Sequence, residues 1–176
     1  HLFSVDKTGT TAAKFLSIGA GSAAVSMGGA FTSVANDATA MFWNPAGLGF
    51  YKTKEVYFNH ANWIADISYD YFGFTIPLSA RNAFGLNITS VTMDEMEVTR
   101  YGNENTGETF KAADYALGIT YAINLTDRFS IGFNGKYIQQ SIASSHARGG
   151  AVDLGTIFET PFGFRLGTSI SNFGPK

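Results

Sequence analysis

From about residue 55 the chain alternates apolar and polar positions with period two. In 113–123, Ala113, Tyr115, Leu117, Ile119, Tyr121 and Ile123 fall on one face, and Asp114, Ala116, Gly118, Thr120 and Ala122 on the other. In 129–139, Phe129, Ile131, Phe133 and Tyr137 oppose Ser130, Gly132, Asn134 and Lys136. In 151–159, Val152, Leu154 and Phe158 oppose Asp153, Gly155 and Glu159; in 162–171, Phe162, Phe164, Leu166 and Ile170 oppose Gly163, Arg165, Gly167, Ser169 and Ser171. Period two is the geometry of a strand, whose successive side chains leave opposite faces. Similar strands are expected at 55–61, 64–77, 82–91 and 93–100, which makes about eight antiparallel strands over 51–176. Within 64–77 the phase changes: Ile67, Tyr69 and Tyr71 share the face of Trp63, whereas Phe72, Phe74 and Ile76 share the other, and a bulge near Tyr71 would reconcile them. Asn124–Asp127 and Thr160–Gly163 read as short turns, and 101–111 and 141–150 as longer polar loops. Short turns alternating with long loops are the two ends of an outer-membrane barrel.

Residues 1–50 follow a different pattern, rich in Ala, Gly, Ser and Thr. Residues 22–30 predict a short helix with Ser22 as N-cap and Gly28-Gly29 limiting it. Residues 36–42 predict another helical turn, capped by Asn36 or Asp37. Asn44-Pro45-Ala46-Gly47 reads as a turn in which Pro45 fixes its own φ and Gly47 permits a positive one.

Alternation alone fits a soluble β-sandwich as well as a barrel with its apolar face turned outward. Composition separates them. The chain of 176 residues has 16 Phe, 8 Tyr and 20 Gly but only 15% charged residues, against about 25% for an ordinary soluble domain. No run of about 18 apolar residues exists for a membrane helix. The less apolar strand face carries Gly, Ala, Ser and Asn, which suit a crowded lumen rather than a water-exposed surface. Aromatics at inferred strand ends (Trp63, Tyr69, Tyr71, Tyr101, Tyr121, Phe129, Tyr137, Phe162) suit membrane girdles. The expectation is therefore an all-β, antiparallel transmembrane barrel, incomplete over this length, behind a short, partly helical N-terminal plug. The chain opens at His1 without Met, which reads as a processed product.

Candidate chemistry changes little. A net charge of -2 supplies no phosphate-binding surface, so nucleic acid is not an expected partner. Zero Cys removes disulfides, thiolate sites and Cys nucleophiles. Gly19-Ala-Gly-Ser-Ala-Ala24 superficially matches a dinucleotide fingerprint but lacks the βαβ unit that gives it meaning. His1, His60 and His146 lie far apart without metal spacing. Asp94, Glu95 and Glu97 read as a solvated strand end rather than a calcium site. Asp114, Lys136, Asp153, Glu159 and Arg165 fall on the inferred lumen face, where they line a path or pair with one another and with the plug. No enzyme, metal or cofactor is expected.

The most specific feature is the block Ser26-Met-Gly-Gly-Ala-Phe31, Asn36-Asp-Ala38 and Phe42-Trp-Asn-Pro-Ala-Gly-Leu48. It resembles the signature of the PorV/PorQ-type outer-membrane family, which is similar to the FadL-like transporters with their Asn-Pro-Ala hatch element. The resemblance implies a barrel of roughly fourteen strands in the bacterial outer membrane with a hatch in its lumen. An eight-stranded barrel is filled by its own side chains and has no room for a 50-residue plug. The hatch motif places Asp37, Asn44, Pro45, Ala46 and Gly47 as the candidate site, with Asn44 and Pro45 as a fixed turn and Asp37 as a capping or lumen-pairing group. The resemblance implies a non-enzymatic role in envelope transport or protein secretion, through the type IX system in the case of PorV. Alternatives are a FadL-like passive transporter of hydrophobic small molecules, a structural outer-membrane scaffold, or a soluble β-sandwich binding module. The implied partners are outer-membrane lipid, secretion-system or other envelope proteins, and a hydrophobic ligand.

Overall fold

The computed structural model describes residues 13–63, 67–99, 106–143 and 145–174. Seven strands form one antiparallel sheet: β1 (Glu55–Asn62), β2 (Ile67–Pro77), β3 (Asn82–Met93), β6 (Ala112–Thr126), β7 (Phe129–Ile142), β8 (Ser145–Glu159) and β9 (Arg165–Phe173). The order is β1-β2-β3-β6-β7-β8-β9, a meander in which each strand pairs with the one before it, and the edge strands β1 and β9 do not pair with each other. Residues 93–100 do not supply an eighth sheet strand. Among the described residues between β3 and β6, β4 (Met96–Glu97) and β5 (Thr109–Phe110) form a two-rung ladder of their own. Acidic Asp94, Glu95 and Glu97 break the apolar alternation that a wall strand needs. Nor is 141–150 a loop: β7 and β8 run on to Ile142 and Ser145, so the hairpin closes tightly.

The apolar face is the exposed one. On β6, Leu117, Ile119 and Tyr121 are 47%, 54% and 40% exposed, while Ala116, Thr120 and Ala122 between them are buried. The same holds for Phe133 and Tyr137 on β7 and Val152, Leu154 and Phe158 on β8; on the edge strand β9, Leu166 and Ile170 are exposed and Gly167 and Ser169 half-buried. A sandwich would bury these rows and expose the small ones.

Strand β2 keeps perfect register with β1 and β3 through Tyr71, so the expected bulge there is absent. The phase change has another cause. Tyr69 and Tyr71 point to the inner face and are buried under the N-terminal segment, whereas Phe72 on the other face is exposed. These two tyrosines are core rather than girdle residues; Tyr101 lies outside the described residues. Register shifts occur instead between Asn124 and Thr126 and between Val152 and Leu154.

The inner face carries residues 13–51, folded into a 3₁₀ turn (Lys14–Ser17) and three short helices: α1 (Ser22–Ser26), α2 (Ala40–Trp43) and α3 (Gly47–Phe50). Gly21, at φ 87°, precedes α1, so Ser22 is its first helical residue and not its cap. Gly28 and Gly29, at φ 65° and 81°, end the turn that follows. The main core lies between segment and sheet: Phe31, Ala35, Ala38, Met41 and Leu48 against Ala83 and Ala122. The sheet is concave around it. Arg165 on β9 and Tyr71 on β2, near opposite edges, donate to the carbonyls of Ala35 (3.5 Å) and Ala38 (3.2 Å), only three residues apart.

Candidate functional site

The Asn44-Pro45-Ala46-Gly47 turn lies at the bottom of this concavity. Asn44 is fully buried. Its Nδ2 donates to the Thr32 carbonyl at 2.8 Å and to the Thr156 carbonyl of β8 at 3.1 Å, and its Oδ1 accepts from the Ala46 N–H at 3.1 Å. One side chain thus joins two parts of the segment to the wall. A carboxylate lacks the two donors and an aliphatic side chain lacks all three partners, which is the physical reason for Asn here. Pro45 carries no N–H to satisfy. The Ala46 carbonyl accepts from Ser130 Oγ of β7 at 2.7 Å. Gly47 is not at positive φ. It opens α3, and a Cβ there would stand 2.5 Å from the Ala35 carbonyl oxygen. Close approach, not backbone freedom, requires the glycine.

The wall is shaped to receive this turn. Each of six strands carries a glycine on the inner face: Gly73, Gly85, Gly118, Gly132, Gly155 and Gly167. A methyl group on Gly155 would overlap Asn44 Oδ1, one on Gly132 would overlap the Pro45–Ala46 peptide, and one on Gly85 would overlap Met41 Sδ. On Gly167 it would stand 2.6 Å from the Thr32 carbonyl oxygen. Glycine inside a strand weakens it, so its presence marks close backbone approach.

Above the glycines lies a buried polar network. Lys136 Nζ is 2.7 Å from Asp153 Oδ2, with side chains 5% and 1% exposed. Lys136 also donates to Asn172 Oδ1 (2.8 Å) and sits 5.8 Å from the centre of the Phe42 ring. Asp153 accepts further from Asn134 Nδ2 (3.0 Å) and the Asn172 N–H (2.7 Å). Asn134 Nδ2 also donates to the Met41 carbonyl at 3.1 Å. Both charges are therefore matched by partners on β7, β8, β9 and α2, which is what makes their burial tolerable.

The remaining candidate residues are placed around this centre. Asp37 Oδ1 accepts from the Thr39 N–H (2.8 Å) and Oγ1 (2.5 Å), closing a turn just before α2 instead of capping it. The neighbouring Ala38 N–H goes to Glu55 Oε2 of β1 at 2.8 Å. Arg165 Nε is 3.4 Å from Glu159 Oε1 and its guanidinium lies 5.1 Å from the Phe50 ring centre. Asp114 stands apart near the other end, accepting from Gln140 Nε2 at 3.1 Å, while Gln140 Oε1 accepts from the Ala13 N–H. Sequence reasoning placed Ser130, Asn134, Gly118, Gly132, Gly155 and Gly167 on the polar face without giving them a role at the site, and passed over Gly73, Gly85 and Asn172. The glycines left a signal, one per strand on the polar face; Asn172 left none, because its role depends on its positive φ of 58°. Among the described residues no group of three or more His, Asp or Glu could hold a metal ion. The polar groups at the centre bond to one another in a way suited to clamping.

Comparison with curated proteins and with solved structures returns no match. A family model described as type IX secretion system protein PorV matches residues 4–176, nearly the whole chain. On that match the chain belongs to the PorV family, a component family of the type IX secretion system in the bacterial envelope.

Proposed function

We propose that the curved sheet is part of a transmembrane β-barrel in the bacterial outer membrane, with residues 1–50 as a hatch seated in its lumen. It acts there as a non-enzymatic scaffold for envelope proteins of the secretion system. The observation that carries this reading is the outward apolar face, and its slant as well as its existence. On β1 the last outward apolar residue toward the short turns is Val56; on β9 it is Leu166. The hydrogen-bonded row from Val56 runs through Phe74, Leu86, Ile119, Gly135 and Val152 to Phe173. The apolar limit has therefore slid from the level of Val152 to that of Phe158 on β8, the partner of Leu166, about six residues over about six strand spacings once the β9 bulge is discounted, or about 20 Å against about 29 Å. That slope is about 35°, at the lower end of the roughly 35–45° tilt of membrane barrels. Strands β6 and β8, at 15 residues each, also exceed the about 9–11 needed to cross a tilted bilayer.

The seating of the hatch favours a scaffold over a FadL-like conduit. Backbone lies against glycine, and the network at its centre is polar. A cavity of about 270 Å³ beside it is lined by Thr32, Lys136, Ser171 and Asn172 as well as Phe42 and Trp43, a poor path for a hydrophobic solute. Heat-modifiable electrophoresis of the full-length protein from outer membranes tests the barrel. The expected result is a mobility shift on boiling together with solubility only in detergent. A protein that stays soluble and monomeric without detergent would remove the barrel and the scaffold together.

A further inference from the structure

The upper ends of β7 and β8 carry an outward surface unlike the rest of the belt. The connections at 78–81, 127–128 and 160–164 are all short, whereas the opposite end carries the one long connection, 94–111, beside the tight β7–β8 hairpin, and that long connection assigns the opposite end to the outside of the cell. There, on the outward face, Gln139 pairs with Arg148 and Ser141 with His146; one row below, Tyr137 pairs with Gly150, and next to it Gly135 with Val152. His146 Nδ1 is 2.9 Å from Ser141 Oγ. Arg148 is exposed, and among the described residues no carboxylate pairs with it. The outward carboxylate of its row, Asp70, is four strands away and bonded to His60 at 2.7 Å. Below the guanidinium the belt is indented. A Cβ on Gly135 would meet nothing within 4 Å, and Gly150 also lacks a side chain on this face. The indentation is bordered by Tyr137, Leu117, Ile119 and Val152, all apolar or aromatic and continuous with the belt.

We propose that this surface binds one phosphorylated lipid of the outer leaflet, with Arg148 on the phosphate and an acyl chain in the indentation at Gly135 and Gly150. The inference rests on the membrane reading above. Arg148 stands four residues beyond Val152, the upper limit of the aliphatic row on β8, about 13 Å along the strand and about 11 Å higher at the inferred tilt, which puts it at the headgroups when that limit lies at the edge of the hydrocarbon. A planar guanidinium suits a phosphate because it donates two parallel hydrogen bonds. Gln139, Ser141 and His146 add further polar groups around it, and bare backbone at the diagonal pair Gly135 and Gly150 gives a chain a groove that a flat aliphatic belt lacks.

The test is binding of diphosphorylated lipid A, and of the same lipid after dephosphorylation, to the full-length protein in detergent, read by native mass spectrometry. Arg148→Gln should weaken lipid A binding about tenfold, the loss of one charge-assisted contact, and leave the dephosphorylated lipid unaffected. Gly135→Leu should weaken both lipids, while Arg81→Gln, at the short-turn end, should change neither. Equal binding to wild type and Arg148→Gln would overturn the site, as would displacement of lipid A by millimolar inorganic phosphate alone. If the protein shifts on boiling yet Arg148→Gln binds normally, this inference fails and the barrel stands. If the protein needs no detergent, both fail.

Discussion

Replacing Asp153 by Asn tests whether the buried pair clamps hatch to wall. The substitution preserves shape but removes the charge that faces Lys136 Nζ at 2.7 Å and accepts from Asn134 and the Asn172 N–H. Both side chains are almost wholly buried, so solvent screening does not soften the loss. Stranding one charge of a buried pair costs about 3–5 kcal/mol, whereas replacing both partners by apolar residues of similar volume is often neutral. Asp153→Asn is therefore expected to destabilise by about 3 kcal/mol or more, a factor of at least about 100 in the folding equilibrium. Lys136→Met alone should cost a similar amount, and Lys136→Met/Asp153→Leu much less than the sum. The assay is urea unfolding in detergent micelles, scored by the mobility of unheated samples. A cost below about 1 kcal/mol for Asp153→Asn, the range of an exposed pair, would refute the argument. So would a double variant that costs as much as the two singles added.

The glycine seats give a contrast in the same assay: Gly155→Ala must displace Asn44 and should cost about 1–3 kcal/mol, whereas Gly135→Ala, which meets nothing, should stay within about 0.5 kcal/mol. Equal effects would dismiss the seating. Asn44→Ala removes three hydrogen bonds at a buried site and should cost about 2–4 kcal/mol, against about 1 kcal/mol for Tyr71→Phe, which loses one. Ile119→Arg on the outward face should cost about 2–4 kcal/mol in a bilayer, and a change within about 0.5 kcal/mol would mean that this face meets water.

The strands were legible because period two is a local property, and 113–123, 129–139, 151–159 and 165–171 keep it apart from single small or polar residues at Gly135, Thr156 and Thr168. Which face the N-terminal segment covers was legible from small residues at Gly118, Thr120, Gly132 and Gly155. The errors arose where a strand meets the N-terminal segment. Tyr69 and Tyr71 read as lipid-side aromatics because sequence alone does not show that the inner face at that place is covered by Ala20, Ala38 and Phe42. A bulge was the local repair for a pattern with a tertiary cause. Residues 93–100 looked like a strand by spacing, but their acidic side chains belong to the connection that carries β4 and β5. At the site, Asn44 and Pro45 stood out as a turn. Their function as a joint depends on contacts more than one hundred residues away, such as Asn44 with Thr156, which spacing does not encode. Lys136 and Asp153 fall on the polar face of the alternation, but their pairing required the β7–β8 register.

The chain contains no cysteine, so single-cysteine spin labels can be introduced along 115–123 without background. The measurement is the accessibility of each label to oxygen dissolved in the bilayer and to a water-soluble nickel complex, on full-length protein in lipid vesicles. The account predicts oscillation with period two: labels at Tyr115, Leu117, Ile119, Tyr121 and Ile123 collide with oxygen, and labels at Ala116, Thr120 and Ala122 are shielded from both reagents by the hatch. Nickel access at the odd positions, or no oscillation at all, would contradict the barrel and the seated hatch alike.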